Sequence, residues 1–410
     1  MTKKNTTVKT MVMVALGLSL VSGMASCKKE GCTDSNATNY SSDAKKDDGS
    51  CAYTATGYEE NLSSGSQTAL NADITNSVTL PGKAYTLSGG VHVKSGATLT
   101  IPSGVTFTSD PSESIAYLLI EKGAKIIAVG TESEPIVFTS GNSKPQRGDW
   151  GGIIICGSAP VNGGSRTAEV GNVVYGGSDA GDNSGTLKYI RLEYTGNAIN
   201  AEKEHNGFSF NGVGSGTVAE YLQVFMGGDD GFEFFGGTLN ANYLISTGSK
   251  DDSFDWTYGW AGSGKNWYAN QASDEGDRGI EGDNDSKNNS NSPYSSPTLT
   301  NVTLKGRGIA AGTDGMKLRE GTKGSLTNIK VIDFRDGIEV EHSQTVSNAA
   351  NNELTLSKIT IMNATTVWAI KDAGSTADST SAATKVATGI DGAATGSIDF
   401  WTGKAWVKPL

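Results

Sequence analysis

A chain of 410 residues could make two or three average domains or one elongated solenoid. Its 54 Gly and only 9 Pro, with Asn, Ser, Thr and Asp recurring throughout, suit short strands joined by tight turns and exclude a body of long helices. The net charge of −11 disfavours a nucleic-acid surface, which needs a basic face, and leaves cations, neutral glycans or simple solubility open.

Lys3, Lys4 and Lys9 precede an apolar run, Met11 to Val21, of the length a signal peptide uses and too short to span a bilayer. The run ends in Gly23-Met24-Ala25-Ser26-Cys27, which resembles the lipobox of bacterial lipoproteins, with Met24 where Leu is commonest. The resemblance implies a signal peptide over 1–26, a lipidated Cys27 and anchorage in the membrane by the acyl chains alone; an ordinary signal peptide cut near Ser26 is the alternative. Lys28, Lys29 and Glu30 follow directly, as in outer-membrane lipoproteins of Bacteroidota and their surface-exported subset. That likeness implies the outer membrane as the address, with the cell surface as one of its two sides.

Residues 31–53 hold no long apolar run and need a staple, for which Cys32 and Cys51 are placed. A bridge closing a loop of about 20 residues is worth roughly 3 kcal/mol in the chain-entropy view. The pattern GCTD…NY…DDGSC resembles a short module of secreted Bacteroidota proteins. Asp34, Asn36, Asn39, Asp43, Asp47 and Asp48 could offer oxygens to Ca²⁺, although a solvated, turn-rich spacer is the plainer expectation. Residues 54–71, polar and rich in Ser, read as a linker to a body over 72–410.

That body repeats two words. One is a Tyr or polar residue followed by apolar–any–apolar, as in Tyr189-Ile190-Arg191-Leu192, Tyr221-Leu222-Gln223-Val224, Asn301-Val302-Thr303-Leu304 and Asn328-Ile329-Lys330-Val331. The other is Asp/Asn-Gly and the same alternation, as in Asn206 to Phe210, Asp230 to Phe234, Asp314 to Leu318 and Asp336 to Val340, with Asp252 to Trp256 a variant. Asp230 to Asp252 and Asp314 to Asp336 are both 22 residues, about one turn of a parallel β-helix and half of a propeller blade. Alternation sends Phe208, Phe232, Phe254, Met316, Ile338 and Trp368 inward as one column. The 62 residues from Asp252 to Asp314 predict a long loop insertion at about 257–297. Short strands between Leu99 and Ile155 continue the pattern N-terminally, and Cys156, in the run IIIC, reads as an inert core thiol.

The landmarks IEKGAKIIAVGT, PIVFTS, GDWGGIII, SGTLKYIRLEY, NGFSFNGVGSGT, DDGFEFFGGT and a strand-like DFWTGKAW resemble a family of Bacteroidota envelope proteins. The resemblance covers roughly 85–410 and implies an all-β, single-stranded right-handed parallel β-helix, but no settled activity.

Chemistry is sparser. The outward position of the second word reads Ser209, Glu233, Asp255, Lys317 and Glu339, with Arg319 beside it. Strands about 4.8 Å apart would stack Glu233 on Asp255, near the spacing of about 5–5.5 Å that retaining glycosidases use. Pectate-lyase-like β-helices use acidic clusters for Ca²⁺ with a basic proton acceptor, so a lyase or hydrolase site from Glu233, Asp255, Lys317, Arg319 and Glu339 is conceivable. Yet like charges at that spacing in water repel by only about 1 kcal/mol, so a solvated column with ordinary ion pairs is the plainer expectation. The Asp/Asn column of Asn206, Asp230, Asp252, Asp314 and Asp336 reads as turn capping, with Ca²⁺ binding as the alternative. The acidic stretch Asp274 to Asp285 lacks EF-hand spacing, with Lys287 at the fifth loop position, and three histidines without paired spacing give no zinc site. Trp256, Tyr258, Trp260, Trp267 and Tyr268 form either a sugar-stacking platform on the insertion or its packing against the coil. The expectation is a non-enzymatic, lipid-anchored scaffold contacting glycan or another envelope component, with no required cofactor and Ca²⁺ optional. A polysaccharide lyase or hydrolase, and a structural subunit of a surface assembly, are the rivals.

Overall fold

The computed structural model describes residues 29, 31–33, 40–46, 57–112, 115–199 and 203–410, and the chain divides into two units, Met1–Thr54 and Ala55–Leu410. In the first unit Cys32 is buried and Lys29 pairs with Asp43 at 3.0 Å, which occupies one of the proposed Ca²⁺ ligands. The signal segment, Cys27, Cys51, Asp34, Asn36, Asn39, Asp47 and Asp48 lie outside the described residues.

In the second unit every coil contributes strands to two long parallel sheets, one of ten strands and one of fourteen, in the order expected of a single-stranded parallel β-helix. The ten-stranded sheet stacks Gly90–Val93, Tyr117–Ile120, Ile153–Cys156, Phe208–Val213, Phe232–Gly237, Phe254–Thr257, Ile280–Gly282, Asp314–Leu318, Asp336–Glu341 and Thr366–Lys371. Its inward column is in register through Phe208, Phe232, Phe254, Ile280, Met316, Ile338 and Trp368, with the first three rings 5.5 and 5.7 Å apart. All but the terminal Trp368 are buried. A second column runs Phe210, Phe234, Trp256, Gly282 and Leu318. Gly282 is required there, because a Cβ would stand 2.4 Å from the Trp256 indole.

The fourteen-stranded sheet explains the first sequence word. Early coils place two separate short strands where later coils place one bent strand: Gly185–Glu193 pairs with Lys125–Val129 before its bend and with Ile136–Thr139 after it. The bend is a single left-handed residue: Tyr189, Tyr221, Tyr243, Asn266, Asn301, Asn328 and Lys358 all have φ of 52–61°. Asn tolerates that backbone through its short polar side chain; Tyr does not, and needs compensation. The tyrosines obtain it by stacking, Tyr189 on Tyr221 at 4.5 Å and Tyr221 on Tyr243 at 4.3 Å. The asparagines obtain it by an amide ladder, Asn328 Nδ2 donating to Asn301 Oδ1 at 2.7 Å and Asn301 Nδ2 to Asn266 Oδ1 at 3.3 Å.

Three expectations are corrected. The interval 257–297 is no loop insertion: Ser263–Asn270 and Ile280–Gly282 extend both sheets, so it holds a further coil, with 271–279 and 283–297 as its loops. The segment 54–71 is more than a spacer. Helix Gly57–Ser64 sends Leu62 into the core, and Ala69–Leu70 pairs with Ala84–Leu87. The C-terminal DFWTGKAW is a strap of turns rather than a strand. It returns along the outer face of the larger sheet, where Trp401 stacks on Tyr268 at 3.9 Å and Trp406 meets the Tyr189 and Tyr221 rings edge-on. Helices Ser343–Ala350 and Thr376–Gly389 cover the last coils with Val346, Ala349 and Val386.

Candidate acidic groove

The outward side of the ten-stranded sheet carries the column Ser209, Glu233, Asp255, Glu281, Lys317 and Glu339 in register. Glu281 belongs to the coil misread as loop, so Asp255 and Lys317 are not neighbours. The turn aspartates do cap: Asp230 accepts the Asp252 N–H at 2.9 Å, and Asp252 accepts the Arg278 N–H at 2.8 Å.

These two rows, with Asp229 and Asp251 and with Glu169 and Glu204 from loops, line one cleft of about 280 Å³. All nine lining residues are carboxylates, and the column is not solvated as expected. Asp230, Asp252 and Glu281 are buried. Carboxylate oxygens of Asp230, Glu233 and Asp255 lie within 4.8 Å of one another, as do those of Asp252, Asp255 and Glu281. Asp255 Oδ1 is buried without a hydrogen-bond donor.

Burial, reinforced by mutual repulsion, holds the carboxyls of Asp230, Glu233, Asp252 and Asp255 well above their usual range. Burial pushes Asp229 up to about 9, helped by a hydrogen bond with Glu204, and Glu281 up to about 7. Asn206 is a neutral donor to the column, its Nδ2 reaching Glu233 at 2.5 Å. The bases beside the cleft are already engaged. Arg278 pairs with Asp277 at 2.7 Å and Glu281 at 3.1 Å, and Arg319 with Glu281 at 2.7 Å and Asp283 at 3.0 Å.

The other predicted site residues fall elsewhere. Lys317 is held by Glu339 and Glu341, each at 3.0 Å, and Glu339 also by Lys371, a closed ion-pair network on later coils. Trp256, Trp260 and Trp267 are fully buried and form no platform. Trp260 stacks on Phe234 at 4.3 Å and Trp267 on Phe254 at 4.6 Å, their indole N–H groups donating to Leu239 and Ala241 carbonyls. Tyr258 lies under the Arg166 guanidinium, 3.5 Å from its centroid, and Tyr268 under Trp401.

Two further clefts meet the acidic one at Glu169, which lines all three. One of about 350 Å³ contains Arg166, Tyr175, Asn211, Phe235 and Tyr258. The other, of about 780 Å³, lies over the first coils between Ile115, Tyr117, Asn172, Asn197, Ile199, Lys203 and His205. Tyr117 is fixed there by His92, whose Nε2 is 3.1 Å from its hydroxyl and whose Nδ1 is 3.0 Å from Glu121.

A family model of the Pectate-lyase like beta helix domain matches residues 72–407. The chain belongs to this family. No curated protein and no solved structure matches the chain. In this pectate-lyase-like β-helix the acidic cleft offers oxygen donors alone, the donor set of a hard cation such as Ca²⁺, which takes six to eight oxygens at about 2.3–2.6 Å. The donorless Asp255 oxygen fits such an ion, since a buried unpaired carboxylate is otherwise costly.

Sequence reasoning singled out Glu233 and Asp255 and left Ca²⁺ as an alternative for Asp230 and Asp252, but it did not reach Glu169, Glu204, Asp229, Asp251 or Glu281. Glu169 and Glu204 lie on loops without periodicity. The doubled Asp229-Asp230 and Asp251-Asp252 was the available signal, since capping a turn needs only one of each pair.

Proposed function

We propose that this chain is a lipid-anchored envelope protein whose β-helix binds an acidic polysaccharide through divalent cations held in the acidic cleft. The single observation that carries the reading is a cleft lined by nine carboxylates, three of them buried, in which Asp255 Oδ1 has no hydrogen-bond donor. A hard cation would be held by Asp230, Glu233 and Asp255, or by Asp252, Asp255 and Glu281, and would supply the bridge to a ligand carboxylate. The family match supports a polysaccharide-related role. Binding is favoured over β-elimination because Arg278, Arg319 and Lys317 are each tied to two carboxylates, leaving them poor proton acceptors. Anchorage through Cys27 at the outer membrane belongs to the same proposal, tested by proteinase treatment of intact cells and by loss of membrane association in Cys27→Ala.

The binding claim is tested by co-sedimentation of the mature chain with polygalacturonate, alginate and hyaluronate, in Ca²⁺ and in EDTA. Retention that needs Ca²⁺ and is lost in Glu233→Gln with Asp255→Asn is expected. Retention indifferent to EDTA would sink the reading, and ultraviolet absorbance from an unsaturated product would replace it with a lyase.

A further inference from the structure

The cleft over the first coils differs in chemistry from the acidic one it adjoins. Ile115 and Ile199, from separate loops, face it with 38% and 46% of their surface exposed. Exposed apolar side chains gathered at one concavity mark a contact surface rather than scatter. The Tyr117 ring adds a flat apolar wall, lying so close over Gly90 that a Cβ there would stand 2.4 Å from it. Against these stand polar groups able to meet hydroxyls, the Asn172 and Asn197 amides. His205 is only 3% exposed, and its Nδ1 is buried with no hydrogen-bond partner. Burial lowers its pKa to about 4, so the ring is neutral at physiological pH. That nitrogen packs against Gly151, where a Cβ would stand 2.6 Å from it, and the ring helps to form the floor of the cleft.

We infer that this cleft is a second subsite of the groove, shaped for an uncharged sugar ring, so that the ligand is a heteropolysaccharide with acidic and neutral residues close together rather than a polyuronate. The inference rests on the polysaccharide reading above. A pyranose offers an apolar C–H face to Tyr117 and the two isoleucines and a hydroxyl edge to the asparagines. A uronate would find no net positive charge to hold it: Glu169 and Lys203 both line this cleft, and the Lys203 charge acts on Glu169. The strands of Tyr117 and Glu233 are three spacings apart, roughly 14 Å, the reach of a short oligosaccharide.

Calorimetry of the mature chain in CaCl₂ with hyaluronate oligosaccharides, which alternate acidic and neutral sugars, and with oligogalacturonates of equal length tests this. The hyaluronate series should bind about tenfold more tightly or better. Ile199→Asp, on an exposed side chain that leaves folding alone, should abolish the preference while Ca²⁺ binding persists. Asn172→Ala should weaken it. Equal affinities, or a preference untouched by Ile199→Asp, would overturn the second subsite and leave the cation-bridged reading standing. Failure of both series to bind in Ca²⁺ would overturn the polysaccharide reading itself.

Discussion

Asn301 carries two burdens at one corner: a left-handed backbone and a rung of the amide ladder. Alanine keeps neither the tolerance nor the hydrogen bonds, so Asn301→Ala should cost about 1–3 kcal/mol in urea denaturation, and Asn301→Gly less. The sequence displayed these positions plainly as a recurring Tyr or Asn before each strand, but not why they recur, because φ is invisible in a pattern of apolar alternation. The tryptophans were ambiguous for a related reason. Trp260 and Trp267 sit in a Gly-, Asn- and Ser-rich stretch whose composition resembles loop; the pairing of Ser263–Asn270 with its neighbours turns Trp267 inward, and Trp260 enters from the preceding turn to stack on Phe234. Trp267→Ala should therefore destabilise by about 3–5 kcal/mol in thermal or urea unfolding, the cost of emptying a core site. Ligand affinity of the remaining folded protein should be unchanged.

At the scale of elements, a solenoid is held mainly by contacts between adjacent coils, which makes its stability nearly a sum of local terms. The strap departs from that rule. Gln223 donates to the Lys408 carbonyl at 2.7 Å and accepts the Lys408 N–H at 2.8 Å, Arg191 donates to the Trp406 carbonyl at 2.9 Å, and Lys408 pairs with Glu193 at 2.7 Å. Residues some 215 positions apart in sequence are thereby tied across the sheet. Trp406→Ala with Gln223→Ala should accelerate amide hydrogen exchange in Gly185–Glu193 and Val218–Phe225 while sparing Gly90–Val93. Unchanged exchange there would show the strap to be passive. The strap was misread because its aromatics mimic strand alternation, whereas they are spaced to reach rings on several coils. The acidic loops were illegible for the opposite reason: Glu169 and Glu204 follow no period at all.

For the whole molecule, the 22-residue period was enough to read a β-helix with its inward column, because two strands per turn leave few other ways to bury Phe208, Phe232 and Phe254 together. The groove needed the third dimension, since it is made by loops folding over strands. Its electrostatics give a sign for pH. Asp229 and Glu281, raised by burial to about 9 and about 7, bind more protons folded than unfolded at intermediate pH. Their contribution is fully favourable below the unfolded pKa of about 4 and is lost as pH rises through the folded values. In EDTA the melting temperature should therefore fall between pH 5 and pH 9, roughly, and Ca²⁺ should restore it most at the alkaline end.

The most direct measurement is calorimetric titration of the mature chain with Ca²⁺ alone, repeated in buffers of different ionisation enthalpy. Binding accompanied by proton release, and abolished in Glu233→Gln with Asp255→Asn while the fold survives by circular dichroism, is the predicted result. No heat of binding, or binding unchanged in that double variant, would contradict a cation-holding cleft.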